Sequence, residues 1–238
     1  MANYAPDIGD LPISSIGLRP TAAHSLPEIP GLRGAYFMGA GERLALTNLV
    51  DRGSVPVKVG NPGWENGYAV LSRVNHIDTG ISETAAMTMI VASRRPTANN
   101  VGYIGNYIND DLRGVGIYSL GSQQTVIGMA DRGSVGALSV SVAAVTASWG
   151  LYSASIPASG AMTMRNHTSG DETVGSQTIP RVVETAGNIL IGCLNTNTFG
   201  TTVHIAAALV FNRVLSTSEL ASAVAWVREA ADFSNISV

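Results

Sequence analysis

Pairs of carboxylates are the first candidates for catalysis, because glycoside hydrolysis needs two carboxylates on one face of a strand. Retaining hydrolysis sets the two carboxyl groups about 5–5.5 Å apart, and strand residues two positions apart share a face. No two acidic residues of this chain are two or four positions apart. The adjacent pairs, Asp110-Asp111 and Asp171-Glu172, are typical of loops. We therefore predict that the chain is not an enzyme, with one alternative left open, a carboxylate pair assembled from distant segments.

Other catalytic patterns are absent from the sequence as well. There is no G-x-S-x-G elbow and no H-E-x-x-H motif, and no glycine precedes Lys58 as a phosphate-binding loop requires. Cys193, the only cysteine, lies in the apolar run "NILIGCLN" and is interpreted as a buried, inert thiol. His204 also has apolar neighbours, which favours a satisfied core or edge histidine over a ligand. No cofactor is expected.

Two segments are candidates for ligand binding. "NPGWENGY" could present Trp64 and Tyr68 as a platform on which a sugar stacks, and its simpler interpretation is a turn with a core tryptophan. "NYINDDLRG" could supply calcium with hard oxygen ligands, and its simpler interpretation is a solvated hairpin loop. The weak calcium candidates are Asn109, Asp110 and Asp111.

The composition limits the classes of partner. Net charge is −3, charged residues make up 13% of the chain, and no basic run is present. Nucleic-acid binding needs clustered Lys and Arg, so nucleic acid is not an expected partner. No apolar run approaches the ~18 residues of a membrane span. The first ten residues lack the charged and apolar regions of a secretory signal, so we expect folding in a reducing cytoplasm.

Residues 1–30 are predicted to form an extended arm. They hold five of the ten prolines, which exclude a helix or a central strand. Apolar side chains recur along the segment, so it should lie on a protein surface, either its own domain or a neighbouring subunit. The candidate assembly residues of the arm are Ile8, Leu11, Ile13, Ile16, Leu18 and Leu26.

Residues 31–238 are predicted to form one β domain with a C-terminal helix. Apolar residues alternate on both sides of "DRGSV", which occurs at 51–55 and again at 131–135, so each copy is interpreted as the turn of a hairpin. Many further short alternating runs predict an all-β sandwich. Ser216 and Glu219 form a capping box that should begin a helix of about 217–231.

The C-terminal stretch "ILIGCLNTNTFGTTVHIAAALVFNRVLSTSEL" resembles the closing segment of concanavalin A-like lectin/glucanase domains of the laminin-G-like type. "LVDRGSVPVKVGNPGW" similarly looks like the opening turn and strand of such domains, and "TAAMTMIVASRR" resembles their first long central strand. The resemblance covers residues 31–231 and is carried mainly by the C-terminal positions, which are Ile191-Gly192, Ile205-Ala206, Asn212 to Ser216, and Glu219.

This resemblance implies a two-sheet antiparallel jelly roll. Lectins, glucanases, adhesion modules and tailed-bacteriophage virion proteins share the fold, so function stays open. Our first hypothesis is a non-enzymatic virion structural protein, either a capsid decoration or a tail or receptor-binding component. A carbohydrate-binding module is the second, and a polysaccharide-cleaving enzyme is the third. Expected partners are other virion proteins and further copies of the chain, a trimer being common among phage jelly rolls of this kind.

Overall fold

The computed structural model describes residues 26–238 except 52, 109–112, 122, 177, 178 and 197. The helices are α1 (Glu42–Ala45) and α2 (Thr217–Phe233). The strands are β1 (Leu32–Phe37), β2 (Val57–Val59), β3 (Gly63–Glu65), β4 (Tyr68–Leu71), β5 (His76–Ser82), β6 (Met87–Arg94), β7 (Val101–Gly105), β8 (Val115–Ser119), β9 (Thr125–Asp131), β10 (Ala137–Ala143), β11 (Gly150–Ile156), β12 (Thr163–Asn166), β13 (Asp171–Val174), β14 (Asn188–Ile191) and β15 (Val203–Phe211).

Two antiparallel sheets form a sandwich. Sheet A has the order β13-β12-β11-β6-β15-β4-β3, and β1 pairs with the C-terminal half of β15. Sheet B has the order β10-β9-β8-β7-β14-β5-β2. The predicted all-β, two-sheet fold is therefore confirmed.

The central strand β6 is buried on both faces, which explains its nearly continuous apolar sequence. Successive strand residues point to opposite faces. Met89 and Val91 accordingly belong to the core between the sheets, whereas Ile90 and Ala92 belong to a second cluster on the outer face of sheet A. Sheet A thus has an outer surface that needs cover of its own.

Helix α2 supplies much of that cover. Ser216 caps its first turn and forms the predicted capping box with Glu219. Leu220, Val224 and Val227 are buried in the outer cluster. The helix begins where the sequence predicted and ends at Phe233, two residues beyond the expected end. Among the described residues, no helix is long and apolar enough to span a membrane.

The described end of the predicted arm packs on its own domain. Ile29 is buried in the outer cluster and Leu26 contacts it. Arg213 Nε donates to the carbonyl of Pro30 at 2.7 Å. Residues 26–30 therefore pack on the sandwich, and Leu26 is partly buried there. The other five candidate arm residues, Ile8, Leu11, Ile13, Ile16 and Leu18, lie outside the described residues.

Both "DRGSV" segments turn the chain in the same local way. The Asp51 carboxylate accepts a hydrogen bond from the Gly53 amide at 2.9 Å, and Asp131 accepts one from Gly133 at 2.7 Å. The second copy continues as a single 3₁₀ turn and joins β9 to β10, as predicted for a hairpin.

The hairpin predicted at the first copy is wrong. The preceding residues form α1 and a loop, and β2 pairs with β5 instead. Asn48 is the physical reason. Its side chain accepts from the Ala35 amide at 3.3 Å and donates to the Arg33 carbonyl at 2.9 Å. This side chain, rather than a paired strand, therefore satisfies those backbone groups at the edge of β1.

Candidate functional site

Four partly exposed side chains form a row across the outer face of sheet A, and we call them the aromatic–arginine row. They are Trp149, Arg94, His204 and Tyr68, given in the order of their strands across the sheet. Each comes from a different strand or its flank, because β11, β6, β15 and β4 are neighbours in the sheet.

Strand register places the row at one end of the sheet. Arg94 is the Cα partner of His204, and His204 is the partner of Val70, two residues after Tyr68. Gly150 pairs with Ser93, which sets the preceding Trp149 beside Arg94. The row lies next to the outer apolar cluster, against which Tyr68 and Trp149 pack.

The rings and the guanidinium are in close contact. Tyr68 stacks on His204 with centroids 4.7 Å apart and 20° between the planes. Trp149 meets Tyr68 edge-on at 5.4 Å. Arg94 Cζ lies 5.0 Å from the centroid of Trp149 and 5.2 Å from that of Tyr68, within the range of cation–π attraction. The row is therefore preorganised before any ligand arrives.

Hydrogen bonds fix the proton positions in the row. Arg94 Nε donates to His204 Nδ1 at 2.9 Å, so the imidazole carries its proton on Nε2. Burial, with a contribution from Arg94, lowers the pKa of His204 to about 4. Arg94 also donates through Nη2 to the Tyr68 hydroxyl at 3.4 Å. At neutral pH the row thus carries a single positive charge, on Arg94.

No carboxylate among the described residues forms an ion pair with Arg94. Arginines that serve only structure are commonly matched by an acid or by several carbonyls. This one has a histidine nitrogen and a phenol as its partners. The row consequently combines two partly exposed aromatic rings with an available cation and an imidazole N–H donor. Such a surface suits polar rings bearing hydroxyl or acidic groups.

The structure separates the two residues that the sequence suggested as a sugar platform. Trp64 is the register partner of Ala69, whereas Tyr68 is the partner of Glu65. The two rings therefore lie on opposite faces of sheet A, Trp64 against the inner core and Tyr68 in the row. They do not form one surface.

Sequence reasoning placed His204 at a core or edge position and did not identify Arg94 or Trp149. His204 is partly exposed, stacks on Tyr68 and accepts from Arg94, so it is a satisfied histidine but not a core residue. Arg94 is the last residue of one strand-like run, and Trp149 immediately precedes another. Both positions indicate partial exposure at the end of a strand. Their proximity depends on the β11–β6 pairing, which no local pattern encodes.

The remaining candidate residues are the calcium ligands and the cysteine. The calcium candidates Asn109, Asp110 and Asp111 lie outside the described residues, and no group of three or more His, Cys, Asp or Glu side chains within them is arranged to hold a metal. Cys193 is buried, and burial raises the pKa of its thiol to about 12, as expected for an inert cysteine.

Several acids are engaged in structural contacts. Glu83 forms a buried ion pair with Arg181 and accepts from Asn106 at 2.8 Å; we call Arg181, Glu83 and Asn106 the buried arginine cluster. Glu184 is buried 3.4 Å from Arg113, and its other oxygen accepts from the Ala186 amide. Glu83 and Glu184 are therefore held in structural contacts.

No family model matches the chain, and no curated protein does. Solved structures with a similar fold include receptor-binding domains of botulinum neurotoxins. The serotype G binding domain matches with a TM-score of 0.59 and 15% identity over 82% of this chain and 50% of its own. The binding domain of neurotoxin DC, solved in complex with SialylT, matches with a TM-score of 0.59 and 7% identity over 83% and 52%.

A third neighbour comes from neurotoxin type C, whose cell entry depends on interaction with two ganglioside molecules. It matches with a TM-score of 0.55 and 9% identity over 83% of this chain and 51% of its own. The chain thus spans about half the length of the binding domains it matches. The TM-scores show a fold shared with these binding domains, and at identities this low the likeness shows the fold alone.

Proposed function

We propose that this protein is a non-enzymatic recognition domain that binds carbohydrate through the aromatic–arginine row. The observation that carries the proposal is the row itself, where Trp149 and Tyr68 flank an arginine that has no carboxylate partner among the described residues. Support also comes from the fold, which receptor-binding domains share.

The chemistry of the row suits a sugar ring. The C–H face of a pyranose packs on an aromatic ring, and its hydroxyls need donors and acceptors nearby. Trp and Tyr offer large, rigid contact area with a polar tip. Trp, Tyr and Arg are also the residues that most often dominate binding energy at interfaces. Arg94 and His204 Nε2 supply donors at the same surface.

We further propose that this recognition serves a bacteriophage particle, as a tail or receptor-binding component. The laminin-G-like resemblance and the Pro-rich apolar segment at residues 1–30 support this setting. Peptide mass spectrometry of purified particles checks it. Peptides of this chain at a stoichiometry comparable with other virion proteins support the setting, and their absence from intact particles rejects it.

Binding is tested with immobilised bacterial surface polysaccharides and a glycan array. We expect retention of the wild-type protein and at least a tenfold loss of affinity in Trp149→Ala, which corresponds to about 1.4 kcal/mol. Arg33→Gln, at an exposed arginine of β1 near the opposite end of β15 from His204, is the matched control for Arg94→Gln. Equal affinities of the wild type and Trp149→Ala, both folded, would reject the row as the site.

The same polysaccharides test the absence of catalysis. Incubation with the protein should release no more reducing sugar than a denatured control. Release above that control would reject the non-enzymatic proposal in favour of a polysaccharide-cleaving enzyme.

A further inference from the structure

The free edges of the two sheets differ sharply in how they are protected. Sheet A ends in β13 and β3, and sheet B ends in β2 and β10. Three of these strands have three or four residues and contain at least one charged side chain, namely Asp171 and Glu172 in β13, Glu65 in β3, and Lys58 in β2. Short length and charge are the usual means by which proteins prevent edge-to-edge pairing.

Strand β10 has none of these protections. It has seven residues, "ALSVSVA", without a charge, a proline or a glycine. Its pairing with β9 runs without a bulge from Ala137 to Ala143. No other described strand pairs with it. A long, regular, uncharged edge of this kind is a template for another strand.

The sequence of β10 is nearly symmetric about Val140. In an antiparallel pair of two copies centred there, Ser139 meets Ser141 of the second copy, and Leu138 meets Val142. The ends match as well, Ala137 facing Ala143. Residues opposite each other share a face, so serines pair with serines and aliphatic side chains with aliphatic side chains.

Burial in the single chain agrees with this arrangement. Val140 and Val142 are buried and face the inner core, whereas Ser139 and Ser141 are exposed. Pairing across the two-fold axis would extend the inner core of one copy into that of the other. No like charges would meet, because β10 contains no charged residue.

The edge is also accessible. A groove of about 400 Å³ runs beside it, bounded by residues 138–141 on one side and 173–176 on the other. Val174, 56% exposed, lies in its wall. The groove thus separates β10 from the β13 side of sheet A, and no strand of the described residues occupies it.

We propose that β10 is a homodimer interface, in which two copies pair antiparallel about Val140 and join their seven-stranded sheets into one continuous sheet. The interface is isologous, since the same surface serves both partners. It is independent of the carbohydrate proposal, and it replaces the three-fold assembly expected from the resemblance with a two-fold one.

Introducing charged residues into β10 tests the interface. Light scattering after size exclusion should give the wild type twice the chain mass of 24.7 kDa at high concentration. Ser139→Lys/Ser141→Lys places two lysine–lysine pairs across the axis, and Ser139→Glu/Ser141→Glu places two glutamate pairs. For each double variant alone, the dimer dissociation constant should rise about tenfold or the protein should remain a monomer. An equimolar mixture of the two should restore the dimer, because every cross-strand pair is then Lys–Glu.

Val57→Lys, on the opposite edge strand of sheet B, is the matched control and should leave the dimer intact. The proposal is overturned if the wild type is monomeric or trimeric throughout the concentration range. It is equally overturned if both double variants dimerise as the wild type does, or if the folded variants fail to recover a dimer on mixing.

Discussion

Arg94 and Arg181 are the same residue type in opposite environments. The Arg94 side chain is partly exposed and is held by rings, and no acid among the described residues forms an ion pair with it. The Arg181 side chain is fully buried, as is that of its partner Glu83. The difference indicates which arginine the fold needs and which one a ligand could use.

The buried pair is costly to break and of little use for binding. Desolvating two charges is offset only by their attraction and by further hydrogen bonds. Asn106 supplies one to Glu83 at 2.8 Å, whereas Nε and Nη1 of Arg181 have no hydrogen-bond partner among the described residues. Burial lowers the pKa of Arg181 to about 10, which still leaves it charged at neutral pH.

The largest expected effect follows from removing one member of the buried arginine cluster. Arg181→Met leaves the Glu83 carboxylate buried without a counter-charge and should lower the free energy of unfolding by about 3–5 kcal/mol. Arg94→Met should lower it by about 1 kcal/mol or less, because only partly exposed contacts are lost. Urea unfolding followed by circular dichroism measures both.

A double variant sharpens the same comparison. Arg181→Met/Glu83→Leu removes both buried charges and should recover much of the stability that Arg181→Met loses. If Arg94→Met proves as destabilising as Arg181→Met, the row is a structural element like the buried cluster, and the distinction between them fails.

A smaller effect is expected from pH. Burial and the nearby Arg94 lower the folded-state pKa of His204 to about 4, below the ordinary histidine value of 6.5. His167 also has a pKa of about 4, mainly from burial. Both imidazoles stay neutral in the folded protein while they protonate in the unfolded chain. Stability should therefore fall as pH is lowered from about 6.5 to 4, and show no further loss from these groups below that.

The measurement is the melting temperature across this range. His204→Gln should flatten the slope in part, because it removes one of three imidazoles whose pKa burial lowers, the other two being His167 and His76. An unchanged slope in His204→Gln would show that the imidazole is not held neutral in the row.

The repeated pentapeptide shows how much of the fold local sequence determines. In both copies the aspartate accepts from the glycine amide two residues on, as turn chemistry predicts. Only the second copy joins paired strands. What the first copy joins depends on Asn48, whose bonds to β1 cross 13 and 15 residues of chain. The alternation of apolar residues along the chain does not encode such long-range contacts.

The candidate site was less predictable than the fold for the same reason. Sequence selected Tyr68 as a possible stacking residue but gave it the wrong companion, Trp64, because the two are close in the chain. Strand alternation across a tight hairpin sends them to opposite faces. The actual companions of Tyr68 are 26, 81 and 136 positions away, namely Arg94, Trp149 and His204. Only the order of strands in sheet A brings them together.

The most direct test of carbohydrate recognition at the row uses tryptophan fluorescence. The chain has three tryptophans, and only Trp149 belongs to the row, since Trp226 lies in the outer cluster and Trp64 against the inner core. Titration with a retained glycan should change the emission of the wild type but not that of Trp149→Phe, because a sugar stacked on the indole alters its surroundings. An identical emission change in both proteins, with the same midpoint, would place the ligand elsewhere and contradict the account.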